Sequence, residues 1–118
     1  MTTTIVNVSV KHLRPAYQNL KEWMEDPQNV YVGRPGPFIE GKRYPPRASR
    51  FANPFHIGKD GDRQQVIDKY RVWLDAQLRS GRITAEDLAA LHGKRLGCWC
   101  APELCHAQVL LEYADSMK

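Results

Sequence analysis

KRLGCWCAPELCHAQVLLEY, residues 94–113, decides the fold of this 118-residue chain. Its first part, from Lys94 to Cys100, has the pattern of an apolar strand, and Val109, Leu110 and Tyr113 then recur at helical spacing. Pro102 forces a turn between the two elements. A strand that leads directly into a helix is typical of an α/β fold. All the cysteines of the chain lie in this segment, beside one histidine: Cys98, Cys100, Cys105 and His106.

Strands and helices are predicted to alternate along the remainder of the chain. β-Branched and small polar residues alternate from Thr3 to Val10, and a second short apolar run extends from Val30 to Arg34. An apolar stripe between Val66 and Leu78 precedes Gly81, a typical helix end. We therefore expect strands at 3–10, 30–34 and 94–100, and helices at about 17–25, 62–80, 84–92 and 105–114.

Residues 35–61 are predicted to form a long irregular loop, because they hold five of the eight prolines and four of the eight glycines. The expected fold class is α/β: a single small domain over residues 1–118, with a mostly parallel sheet flanked by helices. A loop of this length in a small domain is more often functional than idle. The arginines in and around it form either a phosphate-binding face or a solvated basic surface: Arg34, Arg43, Arg47, Arg50 and Arg63.

The composition places the chain among globular proteins. Charged residues make up 25 % and hydrophobic residues 42 % of the chain, and no apolar run is long enough to cross a bilayer. The first residues lack the charged head and apolar stretch of a signal peptide, so we expect a cytoplasmic protein without a membrane partner, whose thiols stay reduced. The net charge of +4 favours an anionic partner, either a small molecule or a nucleic acid.

The cysteine segment has several possible chemical roles. Cys98, Cys100, Cys105 and His106 are a candidate set of zinc ligands, and the three thiols alone are a candidate set for an iron–sulfur cluster. A third interpretation is a metal-free catalytic site of Cys98, Cys105 and His106, in which the start of the last helix and the imidazole activate Cys105. The alternative to all three is that the cysteines are small core residues and His106 an ordinary helix cap.

Short motifs give the chain a family resemblance. They are Tyr31-Val32-Gly33-Arg34-Pro35, Asn53-Pro54-Phe55, Gly58-Lys59-Asp60-Gly61, Leu96-Gly97-Cys98-Trp99-Cys100 and Cys105-His106. Their order resembles the family named domain of unknown function 4326, small bacterial and phage proteins, over about Ile5 to Ala114. Residues 36–50 are longer than the usual link, and Ala107 stands where the family often has glycine. The segment 98–106 is also similar to domain of unknown function 488, an α/β family with suspected ties to nucleic-acid metabolism.

These observations lead to two functional hypotheses. In the first, the protein is an enzyme that acts on a nucleotide or nucleic-acid base through the cysteine–histidine site. The other motifs then supply the residues that hold the anionic ligand: Tyr31, Arg34, Asn53 and Arg63. In the second, it is a non-catalytic binding module with a structural metal that contacts nucleic acid or a host protein. A chelator would unfold the module but inactivate the enzyme before unfolding it.

Overall fold

The computed structural model describes residues 2–100 and 103–116. In chain order these residues form β1 (Thr4–Asn7), α1 (Val10–Leu13), α2 (Leu20–Met24), β2 (Asn29–Tyr31), β3 (Phe38–Ile39), β4 (Lys42–Arg43), α3 (Arg63–Ser80), α4 (Ala85–Ala89), β5 (Arg95–Cys98) and α5 (His106–Ser116). Within these ranges no helix is both long enough and apolar enough to cross a membrane.

The main sheet has three parallel strands in the order β1-β5-β2, which confirms the predicted α/β class and the parallel sheet. Thr4 pairs with Arg95 on one side of β5, and Asn29 pairs with the same residue on the other side. β5 is therefore the central strand, and the carboxyl ends of all three strands reach the same edge of the sheet. In open α/β sheets this edge is where ligands bind.

The N-terminal elements are shorter than the sequence predicts. The first strand ends at Asn7, where the Asn7 side-chain oxygen accepts a hydrogen bond from the Ser9 backbone N–H at 3.0 Å and the chain turns into α1. The helix predicted at 17–25 begins only at Leu20, because Asn19 caps it by accepting from the Glu22 backbone N–H. Such side-chain caps compete with extension of the neighbouring element.

The predicted irregular loop at 35–61 is interrupted by an antiparallel hairpin, in which Phe38 pairs with Arg43 and Ile39 with Lys42. A two-residue strand gives no periodic signal in a proline-rich sequence, so the composition of the segment concealed the hairpin. The two strands have only two residues each, so the segment stays largely irregular, as the sequence predicts.

The longest helix begins and ends where the sequence indicates. Asp62 and Gln65 form a reciprocal capping box at the start of α3. Gly81 ends the helix with a φ of 79°, a left-handed conformation that favours glycine. Thr84 and Asp87 form a second capping box on α4, at the start of the helix predicted at 84–92.

Two apolar clusters hold the elements together on opposite faces of the sheet. The larger one packs α3, α4 and α5 against the sheet and includes Leu96 and Cys98. The smaller one contains Trp23 from α2. Gly97, between Leu96 and Cys98, faces Trp23, so side chains of β5 alternate between the two clusters as the strand periodicity requires. This alternation directs Cys98 toward α5.

Candidate functional site

A cavity of about 290 Å³ lies beyond the carboxyl ends of β2 and β5. Its walls come from the ends of these strands, from the first turn of α3 at Arg63, from Cys105 and His106 at the start of α5, and from residues 53–57 of the long loop. Cys98, Cys100, Cys105 and His106 all line this one space. The structure therefore brings together the cysteines and the histidine that the sequence singled out.

The three sulfur atoms form a contiguous group. None of the three cysteines forms a disulfide; Cys98 is 1 % exposed and Cys105 is 3 % exposed, whereas Cys100 is partly exposed. The sulfur atoms of Cys98 and Cys100 both lie within hydrogen-bonding reach of Cys105, which also accepts a hydrogen bond from the Ala107 backbone N–H at the start of α5. Of the three, Cys100 is the thiol that an external molecule can reach.

His106 is held in one orientation by a backbone carbonyl. Its Nε2 lies 2.7 Å from the Val32 oxygen, and because a carbonyl only accepts, Nε2 carries the proton. Nδ1 then presents its lone pair to Cys105 Sγ at 3.5 Å. The ring packs edge-on against Tyr70, and burial lowers the pKa of His106 to about 4. The imidazole is therefore neutral at pH 7, and its Nδ1 atom can accept a hydrogen bond but cannot donate one.

The thiol with the lowest pKa is Cys100 rather than Cys105. A hydrogen bond from Cys105 stabilises the Cys100 thiolate against the cost of burial, and a further hydrogen bond and positive charge from Arg63 help to lower the pKa of Cys100 to about 6. The same contact with Cys100, a second with Cys98, and burial raise the pKa of Cys105. The sequence analysis proposed Cys105 as the reactive thiol, but these interactions favour a thiolate at Cys100.

Arg34 and Asn53 organise the loop that covers the cavity. The Arg34 guanidinium donates to the backbone oxygens of Asn53 at 3.0 Å and of Phe55 at 2.7 Å. Asn53, 7 % exposed, accepts from the Phe55 backbone N–H and donates to the backbone oxygen of Val66 in α3. Both residues line the cavity, and both also fix the position of its loop wall.

Tyr31 lies behind the cavity wall and does not line the cavity. Its hydroxyl donates to the Arg34 backbone oxygen at 2.5 Å and accepts from the indole N–H of Trp99 at 2.8 Å. Trp99 does line the cavity, with 41 % of its surface exposed. Sequence analysis missed Trp99, Phe55 and Leu104 as wall residues, although their positions within or beside the short motifs were a usable signal.

Metal binding stays a prediction. Among residues 2–100 and 103–116, no group of three or more His, Cys, Asp or Glu side chains is arranged to hold a metal ion. The side chains with suitable donor atoms are Cys98, Cys100, Cys105 and His106, and Nε2 of His106 is already occupied by Val32. The donor atoms that this set would offer a metal are therefore the three sulfur atoms and Nδ1 of His106.

Fold and site together define a small α/β domain with a thiol-lined cavity at the carboxyl edge of its parallel sheet. The chain belongs to the family described as domain of unknown function (DUF4326), whose model matches residues 16–116. It is similar to the uncharacterized 12.4 kDa protein in the nrdA-td intergenic region of Enterobacteria phage T4, with 38 % identity over 63 residues. That match covers 52 % of this chain and 58 % of the phage protein, less than two thirds of its length. No solved structure matches the chain.

Proposed function

We propose that this protein is an enzyme that binds a nucleotide or nucleic-acid base in the thiol-lined cavity and reacts with it through Cys100. The observation that carries the proposal is that one cavity is lined both by the accessible thiol and by two arginines, Arg34 and Arg63. A nucleotide needs an anion-binding group, a flat apolar surface and, for covalent chemistry, a nucleophile. The cavity walls offer a candidate for each of the three.

The anionic end of the ligand is assigned to Arg63 and the helix N-termini beside it. α3 has 18 residues and α5 has 11, and their first residues both line the cavity. The positive end of each helix dipole favours a phosphate here, although the capping box of Asp62 and Gln65 already pairs two of the N–H groups at the start of α3. Arg63 forms an ion pair with Glu103 at 2.8 Å, but the Glu103 side chain is 67 % exposed. An exposed pair of this kind contributes little, so a phosphate group can replace Glu103.

The base is assigned to the face of Trp99. The contact with Tyr31 fixes the indole ring while leaving it 41 % exposed at the cavity wall. A fixed, partly exposed aromatic ring is a stacking surface for any nucleobase. Phe55 and Leu104 add apolar surface to the same cavity. The base is thus held near Cys100, which follows Trp99 directly in the chain.

The reacting group is the thiolate of Cys100. In the attack its lone pair forms a bond from sulfur to an electrophilic carbon of the base, and the electron pair displaced from that carbon takes up a proton. Solvent water at the open side of the cavity supplies this proton, because the raised pKa of Cys105 makes its thiol a poor acid; Cys105 instead holds the Cys100 thiolate in place by donating a hydrogen bond to it. His106 Nδ1 lies 3.5 Å from the Cys105 sulfur and is the other acceptor within reach of the single Cys105 proton, so its role is to orient the thiol when Cys100 is not ionised.

Nucleotide binding is tested with the Arg63→Ala variant. Loss of one charge-assisted contact with phosphate is expected to weaken the binding of nucleoside 5′-monophosphates about 10-fold or more. Isothermal titration calorimetry with each of the common monophosphates measures the effect, and thermal melting confirms folding. Arg79→Ala is the matched control, since Arg79 lies exposed in the last turn of the same helix. Equal affinities for Arg63→Ala and wild type, or no binding of any monophosphate, would contradict the proposal.

Metal removal separates the enzyme from the alternative binding module. With the thiolate stabilised by Cys105 and Arg63, treatment with EDTA and phenanthroline is expected to leave the melting temperature and nucleotide affinity unchanged. Protein purified without oxygen is assayed for zinc and iron before and after treatment. Release of one metal ion per chain together with a clear fall in melting temperature would instead support the structural-metal module.

A further inference from the structure

The positive charge of the chain is concentrated in one segment next to the cavity. Residues 34–50 contain five of the 17 Lys and Arg residues but one of the 13 Asp and Glu residues. Their excess of four positive charges equals the net charge of the whole chain, so the remainder of the chain is electrically balanced. Such a local excess attracts an anionic polymer more strongly than a uniformly charged surface would.

An exposed aromatic residue lies within this charged segment. Phe38 on β3 is 69 % exposed, the highest value among the large apolar side chains of residues 2–100 and 103–116. The guanidinium carbon of Arg43 lies 4.9 Å from the centre of the Phe38 ring, and its Nη1 atom donates to the Gly36 backbone oxygen at 3.0 Å. An aromatic face combined with a cation is the usual means by which proteins hold nucleic-acid strands without reading their sequence.

The hairpin is joined rigidly to the cavity wall. Gly33 and Arg34 line the cavity, and the hairpin begins four residues after Arg34. The backbone N–H of Ser49 donates to the Gly33 oxygen at 2.9 Å, and that of Gly36 donates to the Pro45 oxygen at 3.0 Å. These bonds close the segment at its base, next to the two residues that line the cavity.

We propose that the charged hairpin segment, residues 34–50, binds the backbone of single-stranded nucleic acid and presents one of its bases to the cavity. The inference rests on the proposed function, because it names the form in which the base arrives. A base in a duplex is stacked and paired and cannot enter a cavity of this kind without being extruded, whereas a single strand offers it directly. The exposed aromatic ring favours a nucleic-acid strand over an acidic peptide, which has no base to stack.

The test compares strand binding with mononucleotide binding in the same variants. A fluorescein-labelled single strand of about 12 nucleotides spans one site of this size, and its binding is followed by fluorescence anisotropy over a range of salt concentrations. Replacing both Arg43 and Arg47 by alanine is expected to weaken strand binding about 10-fold or more, and to reduce the slope of log affinity against log salt by about 0.7 for each arginine that contacts phosphate. Phe38→Ala is expected to weaken strand binding several-fold.

Controls keep the two proposals separate. Alanine at both Arg79 and Arg82, exposed residues on either side of Gly81, removes the same charge elsewhere and is expected to leave strand affinity within about two-fold of wild type at fixed salt. The hairpin variants should keep wild-type affinity for mononucleotides. Equal loss in both double variants, tighter binding of a duplex than of the single strand, or equally tight binding of polyglutamate would overturn the strand proposal. If only the Arg63→Ala variant loses mononucleotide binding, the result tests the cavity proposal and not the proposal for the hairpin.

Discussion

The Cys100→Ser variant is expected to react with iodoacetamide at pH 7 about 100-fold more slowly than the wild-type protein. The reason is the distribution of thiolate among the three cysteines. A pKa lowered from 9.0 to about 6 makes Cys100 about 90 % ionised at pH 7, compared with about 1 % for an ordinary thiol. Cys98 and Cys105 are buried, and the pKa of Cys105 is raised, so neither replaces Cys100 as the reacting group.

The pH dependence of alkylation shows whether the pKa of Cys100 is lowered and whether Arg63 lowers it. Because the thiolate is the nucleophile, the wild-type rate should rise as the pH increases through about 6 and be level above it. Arg63→Gln removes a hydrogen bond and a positive charge that favour the thiolate, so the pKa of Cys100 should rise and the variant should react more slowly at pH 7. Above pH 9 the wild-type protein and the variant should react at similar rates, since Cys100 is then ionised in both.

Peptide mass spectrometry identifies the labelled cysteine, and Cys98→Ala is the control. This variant should keep the rapid reaction within about three-fold, because Cys98 contacts Cys105 and is not among the groups that lower the pKa of Cys100. A bound monophosphate should slow the labelling of Cys100 in the wild type. If Cys105 is labelled first, or if the alkylation rate rises with a midpoint near pH 9, Cys100 is not the reactive thiol.

The Gly97→Ala variant is expected to lose about 3 kcal/mol of unfolding free energy, measured by urea denaturation. A Cβ atom at this position would lie 2.5 Å from Cη2 and 2.7 Å from Cζ3 of Trp23, and 2.7 Å from Cγ1 of Val8. Trp23 and Val8 are each 1 % exposed, so neither has room to move away. Gly97 lies on the central strand, and its carbonyl accepts from the Val32 backbone N–H at 3.1 Å, which prevents the strand from shifting.

A double-mutant cycle with Trp23→Phe tests the cause of this loss. Phenylalanine lacks the Cη2 and Cζ3 atoms that the new methyl group would strike, so the Gly97→Ala change should cost less in the Trp23→Phe background. The difference between the two costs measures the steric contact itself. If the losses of unfolding free energy are additive across the cycle, the methyl group destabilises the protein in some other way. An unchanged urea midpoint for Gly97→Ala would contradict the packing described.

Local signals were sufficient to predict the main elements of the fold. Asp62, Gly81 and Thr84 act within a few residues of their own positions, so caps and helix ends were readable from the chain. The parallel direction of the strands followed from the alternation of strands and helices, whereas their order in the sheet did not. The hairpin at 38–43 was not readable, because it depends on backbone contacts across a short segment that has no apolar period.

The sequence predicted which residues form the site better than it predicted the role of each residue. The clustering of the cysteines with His106 identified the place, but the choice between Cys100 and Cys105 depends on Arg63, which is distant in the sequence. The position of Tyr31 behind Trp99 likewise results from a contact between two strand ends that the sequence alone does not reveal. Charges and contacts between distant segments therefore decide which of several candidate groups reacts.

Trp99, whose indole N–H is held by the Tyr31 hydroxyl, also supplies an optical reporter. Trp23 is sealed in the smaller cluster, whereas the indole of Trp99 lies half open to solvent at the cavity wall. Emission from Trp99 therefore differs in colour and in sensitivity to collisional quenchers such as acrylamide from that of Trp23, and a Trp73→Phe background removes the third, partly buried tryptophan, which stacks on Tyr70. Occupancy of the cavity is readable from the unlabelled protein by its own fluorescence, and screening of candidate substrates needs no chemical modification of the chain.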